Sequence, residues 1–258
     1  VNVNEQIGED IIFHAALGGI LGSKIYYIIE FWNTGEGYNN IIGLKNIFIG
    51  LFTFNFQLLF SGINQFGSGL VFLGGLIGGL IFVTIYIKKN NLNWLITSDW
   101  VAPYLALGHS IGRIGCFLVG DCYGKPCVLP WSFTFENGLP PTTYEGFKFN
   151  YPEIFTEYVE PFYRSKDLIH VHPTQLYETF LYLIVFIYLY FHRKAKGYDG
   201  QIFLEYLFLA GLIRYFIEIF RLNPLYYLNL SGAQYISLLM ILSSSIFMYI
   251  LRKRNNSY

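Results

Sequence analysis

The first candidates for chemistry are ionisable residues that lie inside an apolar segment. The run GLIRYFIEIFR places Arg214, Glu218 and Arg221 at positions i, i+4 and i+7. On an α-helix this spacing puts all three side chains on one stripe. Ionisable groups within segments that cross a membrane are costly and usually mark a functional site. Because an arginine guanidinium can form paired hydrogen bonds to a phosphate, we expect an anionic ligand here.

Two further runs carry polar groups of the same kind. ALGHSIGRIGCFLVGDCYGKP puts His109 and Arg113 four residues apart, and HPTQLYE puts Gln175 and Glu178 three apart, so each pair can share a helical face. A buried Arg–Glu network that only joins helices is the alternative interpretation. The residues expected to converge in the outer half of the membrane are Arg113, Asp121, Gln175, Glu178, Arg214, Glu218 and Arg221.

The composition indicates which elements position these groups. Charged residues make up 13% of the 258-residue chain, whereas a soluble domain carries about 25%. Hydrophobic residues make up 53% and aromatic residues 20%, and the 17 Lys and Arg balance the 17 Asp and Glu. These values exclude a disordered chain, a coiled coil and a soluble nucleic-acid binder with a basic face. We therefore predict an all-α, polytopic membrane protein.

Six segments are predicted to span the membrane, since each supplies about 20 mostly apolar residues. They are Ile11–Phe31, Gly69–Ile87, Trp94–Val119, Thr174–Phe191, Gln201–Phe220 and Ala233–Leu251. A seventh apolar segment, Ile41–Phe60, is predicted to be a helix or re-entrant piece at the outer interface, and a further span is the alternative. In Gly69–Ile87 the glycines form two GxxxG pairs, 74/78 and 75/79, which favour close packing of helices.

Basic clusters fix the predicted orientation. Eight of the 17 Lys and Arg lie at 88–89, 193–196 and 252–254, and such clusters favour the cytoplasmic side. Two predicted spans separate each cluster from the next, so all three fall on one side. The loop 120–172 then lies outside as a small head of a single membrane domain, 1–258. That loop is acidic, with seven Asp and Glu against four Lys and Arg.

The cysteines of the outer loop leave two possibilities open. Cys122 and Cys127 are predicted either to form a disulfide or to remain thiols, and neither is favoured. With His170 and His172 they also match zinc-ligand chemistry. Since His172 belongs to the HPTQLYE run, no metal site is predicted.

Several runs, in this order, resemble the prolipoprotein diacylglyceryl transferase family. That family is a group of bacterial inner-membrane enzymes with seven spans, so one span upstream of the six is implied. Because the chain begins with Val1 rather than Met, we expect it to be truncated at its N-terminus. The similar runs are GGILGSKIYY (18–27), FLGGLIGG (72–79), GRIGCFLVGDCYGKP (112–126), HPTQLYE (172–178) and RYFIEIFR (214–221).

The resemblance implies a reaction and its partners. Members transfer the diacylglyceryl group of phosphatidylglycerol to the thiol of the lipobox cysteine in a prolipoprotein signal peptide. Sulfur displaces a phosphate ester from a glycerol carbon, and glycerol phosphate leaves. This chemistry needs a thiolate as the nucleophile and cations for the departing phosphate. No metal and no organic cofactor are expected.

The resemblance also implies functional residues. The positions that match the family's motifs are Arg113, Gly115, Asp121 and Gly124 in the signature loop and Arg214 and Glu218 in a late span. Further substrate-binding residues are expected from the HPTQLYE run and its neighbours. These are His172, Gln175, Tyr177, Glu178 and Arg221.

Each matching residue has an expected role. Arg113 and Arg214 are expected to bind the phosphate, with Arg221 in support. Glu218 is expected to orient Arg214. Asp121 is expected either to orient its loop or to help withdraw the thiol proton.

Two positions depart from the family's pattern. Many members have a histidine where this chain has Leu73 and an asparagine where it has Cys116. His109, one turn before Arg113, is the expected substitute for that histidine. Two alternatives to the enzyme remain: an inactive lipid-binding relative, which Leu73 leaves open, or an anion transporter that uses the same intramembrane Arg and Glu groups.

Overall fold

A computed structural model describes residues 5–255, and within this range the fold is all-α without a β-strand. The all-α part of the predicted fold class is therefore confirmed. The chain forms two compact units, which divide between Trp94 and Leu95. Each unit is described separately.

Four helices form the first unit, and they pack in two pairs. α1 packs against α4, and α2 packs against α3. The bounds are Glu5–Glu30 for α1, Glu36–Phe52 for α2, Phe56–Gly67 for α3 and Phe72–Lys89 for α4.

Glycines bring α1 and α4 close together. A Cβ atom at Gly22 would lie 2.2 Å from the carbonyl oxygen of Gly74, and one at Gly78 would lie 2.2 Å from that of Gly18. No side chain larger than hydrogen fits at these contacts. The predicted use of the GxxxG pair 74/78 for helix packing is confirmed.

The apolar segment Ile41–Phe60 is a helical hairpin. α2 ends at Phe52, Phe54 has a left-handed φ of 52°, and α3 begins at Phe56. The Asn55 side chain accepts a hydrogen bond from the backbone N–H of Leu58 at 3.1 Å, which caps α3. One continuous span through this segment is therefore wrong, whereas the hairpin has the shape of a re-entrant piece.

The second unit is built on four long helices that share an apolar core. α5, α8 and α9 contribute the buried residues of this core, and α10 packs against α9. Shorter helices α6 and α7 lie in the loop between α5 and α8. The bounds are Trp94–Val119 for α5, Tyr144–Asn150 for α6, Pro152–Ile154 for α7, Thr174–His192 for α8, Gln201–Ile217 for α9 and Gly232–Asn255 for α10.

The loop 120–172 is folded around a small core of its own. Phe147, Val159, Ile169 and Val171 are fully buried there, and Tyr123 is almost fully buried. A single turn of π-helix, Phe155–Val159, follows α7. The predicted head is thus a packed element that can fix the position of the residues on either side of it.

Asp99, a buried aspartate near the start of α5, holds the N-terminus of α9 in place. The two carboxylate oxygens of Asp99 on α5 accept hydrogen bonds from the backbone N–H groups of Gly200 at 2.8 Å and Phe203 at 3.1 Å. Lys196 donates to the same carboxylate at 2.9 Å. Asp99 therefore caps the start of α9 from another helix, a role that the sequence analysis did not detect.

Three described helices are long and apolar enough to cross a membrane: Gln6–Glu30, Thr174–His192 and Gly232–Asn255. The predicted span Gln201–Phe220 is shorter as an α-helix, since α9 ends at Ile217 after 17 residues. At 1.5 Å per residue, α9 is about 25 Å long, which is below the usual hydrocarbon thickness of about 30 Å. The count of six spans stays a prediction.

Gly22→Ala is expected to lower the free energy of unfolding by about 1–3 kcal/mol, because the new methyl group overlaps the α4 backbone. Thermal unfolding in detergent measures the change. Gly19→Ala is the matched control, since its nearest neighbour would lie 3.8 Å away. Equal stability of the two variants would contradict the close α1–α4 contact.

Candidate active site

One carboxylate on α8 lies among three arginines. Glu178 is 1% exposed. It accepts a short hydrogen bond from Nε of Arg113 on α5, and its Oε1 lies 3.2 Å from Nη1 of Arg214 on α9. Nη1 of Arg221 lies 3.8 Å from the same oxygen. Glu178 therefore joins three segments that are far apart in sequence.

A second buried carboxylate completes the cluster. Glu218 Oε2 lies 3.1 Å from Nη2 of Arg214 and 3.7 Å from Nε of Arg221. Its other oxygen accepts hydrogen bonds from Ser231, at 2.9 Å, and from Asn223. The expected contact between Glu218 and Arg214 is present. Asn223 and Ser231 were missed, because nothing in their spacing links them to Glu218.

Arg221 reaches the cluster by a different path from the one expected. The predicted helical stripe through Arg221 is wrong, because α9 ends at Ile217 and Glu218–Phe220 form a 3₁₀ turn. Arg221 itself is extended, with φ −88° and ψ 165°. It pairs with Gly124 in an isolated antiparallel bridge, which turns its side chain back to the two carboxylates.

The charges of the cluster do not cancel. Three guanidinium groups face two carboxylates, which leaves one positive charge. Nε and Nη1 of Arg221 are buried and form no hydrogen bond with the part of the chain that the structure describes. The Arg214 side chain is 28% exposed, against 12% for Arg113 and 10% for Arg221. The cluster can therefore accept an anion, and Arg214 is the arginine most open to it.

A tight helix end follows Arg113. Gly120 has φ 70°, and the backbone N–H of Asp121 donates to the carbonyl of Cys116 at 3.1 Å, as in a Schellman motif. The Gln175 side chain donates to the carbonyl of Asp121 at 2.5 Å. Among the described residues Asp121 forms no ion pair with an arginine. Its carboxylate instead lies beside the thiols of Cys116 and Cys122.

The position of the family's missing histidine, Leu73, and its candidate substitute, His109, lie in different surroundings. His109 on α5 stacks on Tyr182 of α8, with ring centroids 4.1 Å apart and planes within 8°. Leu73, in the first turn of α4, is an exposed apolar side chain. His109 is thus fixed by packing one turn from Arg113, and its chemical role stays a prediction.

Aromatic and polar groups of the HPTQLYE run meet at the head. The Tyr177 hydroxyl lies 3.2 Å from Nδ1 of His172 and accepts a hydrogen bond from Trp131 Nε1 at 2.9 Å. Burial, and after it the positive charge of Lys125, lowers the pKa of His172 below its ordinary value of 6.5. His172 is therefore a neutral imidazole at neutral pH.

The two glycines of the signature loop differ in their surroundings. A Cβ atom at Gly124 would lie 2.4 Å from the carbonyl oxygen of Phe220 and 2.9 Å from Cβ of His172. Its backbone N–H donates to the carbonyl of His172 at 2.9 Å. At Gly115 a Cβ atom would have no neighbour within 4 Å. Gly124 is thus required by packing, whereas Gly115 leaves open space beside α5.

The open alternatives for the cysteines are resolved in favour of thiols. Cys116, Cys122 and Cys127 are all free, so the structure has no Cys122–Cys127 disulfide. Within residues 5–255, the candidate zinc ligands Cys122, Cys127, His170 and His172 do not gather into one group.

An all-α chain with apolar helices and a buried Arg–Glu cluster is a helical membrane protein. Residues 2–250 match the prolipoprotein diacylglyceryl transferase family. The chain belongs to that family. It is 36% identical to a phosphatidylglycerol–prolipoprotein diacylglyceryl transferase of Clostridium tetani over 240 residues, which cover 91% of this chain and 78% of the relative.

Two further relatives carry the same name. The protein of Clostridioides difficile is 30% identical over 258 residues, which cover 100% of this chain and 83% of the relative. The protein of Finegoldia magna is 28% identical over 247 residues, which cover 95% of this chain and 79% of the relative. The family resemblance inferred from short motifs is confirmed.

Gly124→Ala is expected to lower the free energy of unfolding by about 1–3 kcal/mol, because the Phe220 backbone must move to make room. Movement of Phe220 displaces Arg221, so anion binding falls as well. Calorimetry of the purified protein measures both. Gly115→Ala is the matched control and is expected to preserve stability. If Gly124→Ala unfolds like the control, the packing account is wrong.

Acidification is expected to destabilise the protein in part through His172. Because the folded pKa of His172 is depressed, the unfolded chain binds the proton first as the pH falls through about 6.5, and stability falls with it. The melting temperature of His172→Gln should therefore fall less between about pH 7.5 and pH 5 than that of the unaltered protein. Lys125→Ala should reduce the loss in part. An unchanged loss in His172→Gln would refute this origin.

Proposed function

We propose that this protein transfers the diacylglyceryl group of phosphatidylglycerol to the lipobox cysteine thiol of prolipoproteins, the first step of bacterial lipoprotein maturation. The observation that carries the proposal is the Arg113–Arg214–Arg221 cluster in a member of this transferase family. Three guanidiniums against two carboxylates leave net positive charge for a phosphate.

In the proposed reaction, the arginines stabilise the charge of the leaving phosphate. The acceptor thiolate attacks a glycerol carbon of the lipid, a sulfur–carbon bond forms, and the carbon–oxygen bond to phosphate breaks. The electron pair passes to the phosphate oxygen, so negative charge grows on the leaving group. Arg214 and Arg113 are the groups that stabilise this charge, since a fixed cation in a site of low dielectric needs little reorganisation.

The carboxylates act by positioning the arginines. Glu178 touches all three guanidiniums, and Glu218 touches Arg214 and Arg221. Their charge keeps the guanidiniums from repelling one another before substrate arrives. Gln175 is buried and donates a hydrogen bond to the carbonyl of Asp121, which helps to fix the position of the signature loop.

The remaining members of the site contact or activate the acceptor. His109 is the candidate acceptor of the thiol proton, because it lies one turn from Arg113. His172 and Tyr177 form a polar edge with Trp131 that suits a signal peptide or a lipid head group.

We also propose how the chain crosses the membrane. The chain is a single domain of the bacterial inner membrane with six spans, and the packed head 120–172 lies on the outer face. Basic runs at 88–89, 193–196 and 252–254 lie in the cytoplasm. This orientation places the arginine cluster toward the leaflet from which a secreted acceptor is modified.

Reconstitution of the purified protein with phosphatidylglycerol and a lipobox peptide tests the activity. Release of glycerol phosphate is expected, together with a peptide heavier by the diacylglyceryl group. Arg214→Ala should lower the rate by about 10²–10³-fold, the usual cost of removing one donor to a developing charge. Arg164→Ala, which removes an exposed arginine of the head, is the matched control and should leave the rate unchanged.

Two results would count against the enzyme. Lipid binding without any glycerol phosphate indicates an inactive relative. Anion flux across the vesicles without peptide modification indicates a transporter. If Arg214→Ala and Arg164→Ala react at equal rates, the protein is active but Arg214 has no part in the mechanism.

A further inference from the structure

A second group of reactive side chains lies beside the arginine cluster. Sγ of Cys116, a carboxylate oxygen of Asp121 and Sγ of Cys122 all lie within 4.8 Å of one another. Cys116 Sγ is also 3.8 Å from Nη1 of Arg113. Two thiols and one carboxylate form a set of ligands that suits zinc and related divalent cations.

Backbone structure brings these groups together. Cys116 is in the last turn of α5, and the left-handed Gly120 reverses the chain so that Asp121 returns over it. Cys122 is also left-handed, with φ 58°, an uncommon conformation for a residue with a side chain. The Thr174 hydroxyl donates to the Cys122 carbonyl at 2.8 Å, which ties this strained position to the start of α8.

One oxygen of the group has no partner in the part of the chain that the structure describes. Oδ1 of Asp121 is buried and has no hydrogen-bond partner in the described residues. Both thiols are free. A buried carboxylate oxygen without a partner is costly, and a bound cation would remove that cost.

We propose that Cys116, Asp121 and Cys122 bind a zinc-type divalent cation whose fourth position is open. Three protein ligands with one free position are the arrangement of catalytic rather than structural zinc sites. No metal site is predicted from the sequence, because the quartet considered there, Cys122, Cys127, His170 and His172, includes a residue of the HPTQLYE run. The bound metal is independent of the proposed function, whereas the occupant of the fourth position rests on it.

The fourth position suits the thiol of the acceptor peptide. A metal held there would stabilise the acceptor thiolate, and the thiol proton would pass to His109, the acceptor proposed above. Sulfur then attacks the glycerol carbon, and the carbon–oxygen electron pair leaves with the phosphate. The product is a neutral thioether, a weaker ligand than a thiolate, so it leaves the metal. With Arg113 beside Cys116, the acceptor sulfur and the phosphate-binding group are adjacent.

Cobalt(II) titration tests the metal site without any activity measurement. The purified protein, reduced with a phosphine, is expected to develop thiolate-to-cobalt charge-transfer absorption that saturates at an equimolar amount of cobalt and is displaced by zinc. Cys116→Ser and Cys122→Ser should each weaken binding by at least about tenfold, since even outer partners of a metal site are worth about 10- to 100-fold. Cys127→Ser, which changes the cysteine outside the group, is the matched control.

The outcomes separate this proposal from the proposed function. No absorption in the unaltered protein, or the same affinity in Cys116→Ser and Cys127→Ser, would refute the metal site. Melting temperatures of the variants check that lost binding is not lost folding, and Asp121→Asn, which keeps both thiols, gives a second measurement. If cobalt binds but a lipobox peptide leaves the spectrum unchanged, the open position does not receive the thiol. If metal-free protein still transfers the diacylglyceryl group to the peptide, the activity does not require the metal.

Discussion

The contact on which the rest of the second unit depends is that between the Glu178 carboxylate and three guanidiniums. A carboxylate at 1% exposure is stable only with charged partners, and these come from α5 and from the end of α9 with the turn that follows it. Arg113, Arg214 and Arg221 must therefore stay in place for α5, α8 and α9 to pack as they do. Because removing one partner of a buried pair leaves an uncompensated charge, the cluster that we propose as the phosphate site is also a structural constraint.

Chain reversals, rather than long helices alone, bring the reactive groups to this cluster. A 3₁₀ turn after α9 carries Arg221 back, and a Schellman motif after α5 carries Asp121 and Cys122 back. Both reversals end at residues close to Gly124, whose backbone bonds to His172 and pairs with Arg221. A glycine at that position lets three segments meet where any side chain would separate them.

The parts of the fold that could be predicted from the sequence are those in which a charged group is buried, because burial of a charge requires a partner. Charged residues in apolar segments must meet partners, so the convergence of Arg113, Glu178 and Arg214 could be foreseen. The path of Arg221 could not, because the 3₁₀ turn begins at Glu218, whose bonds to Asn223 and Ser231 beyond the turn have no signal in the sequence. The break in Ile41–Phe60 left a local signal, Asn55 as a helix cap, which the hydrophobicity of the segment concealed. Ligand atoms of Cys116, Asp121 and Cys122 meet only because Gly120 reverses the chain.

Arg214 divides its guanidinium between two carboxylates, and this has a consequence for turnover. In the proposed reaction, an incoming phosphate meets a guanidinium whose charge is already shared with Glu178 and Glu218, so the two carboxylates offset part of the attraction. The contacts of Glu178 and Glu218 with Arg214 also favour release of the phosphate that leaves. In the proposed reaction the two carboxylates thus act as internal competitors: they limit the affinity for any resting phosphate, including the head groups of the bilayer, and favour release of the product.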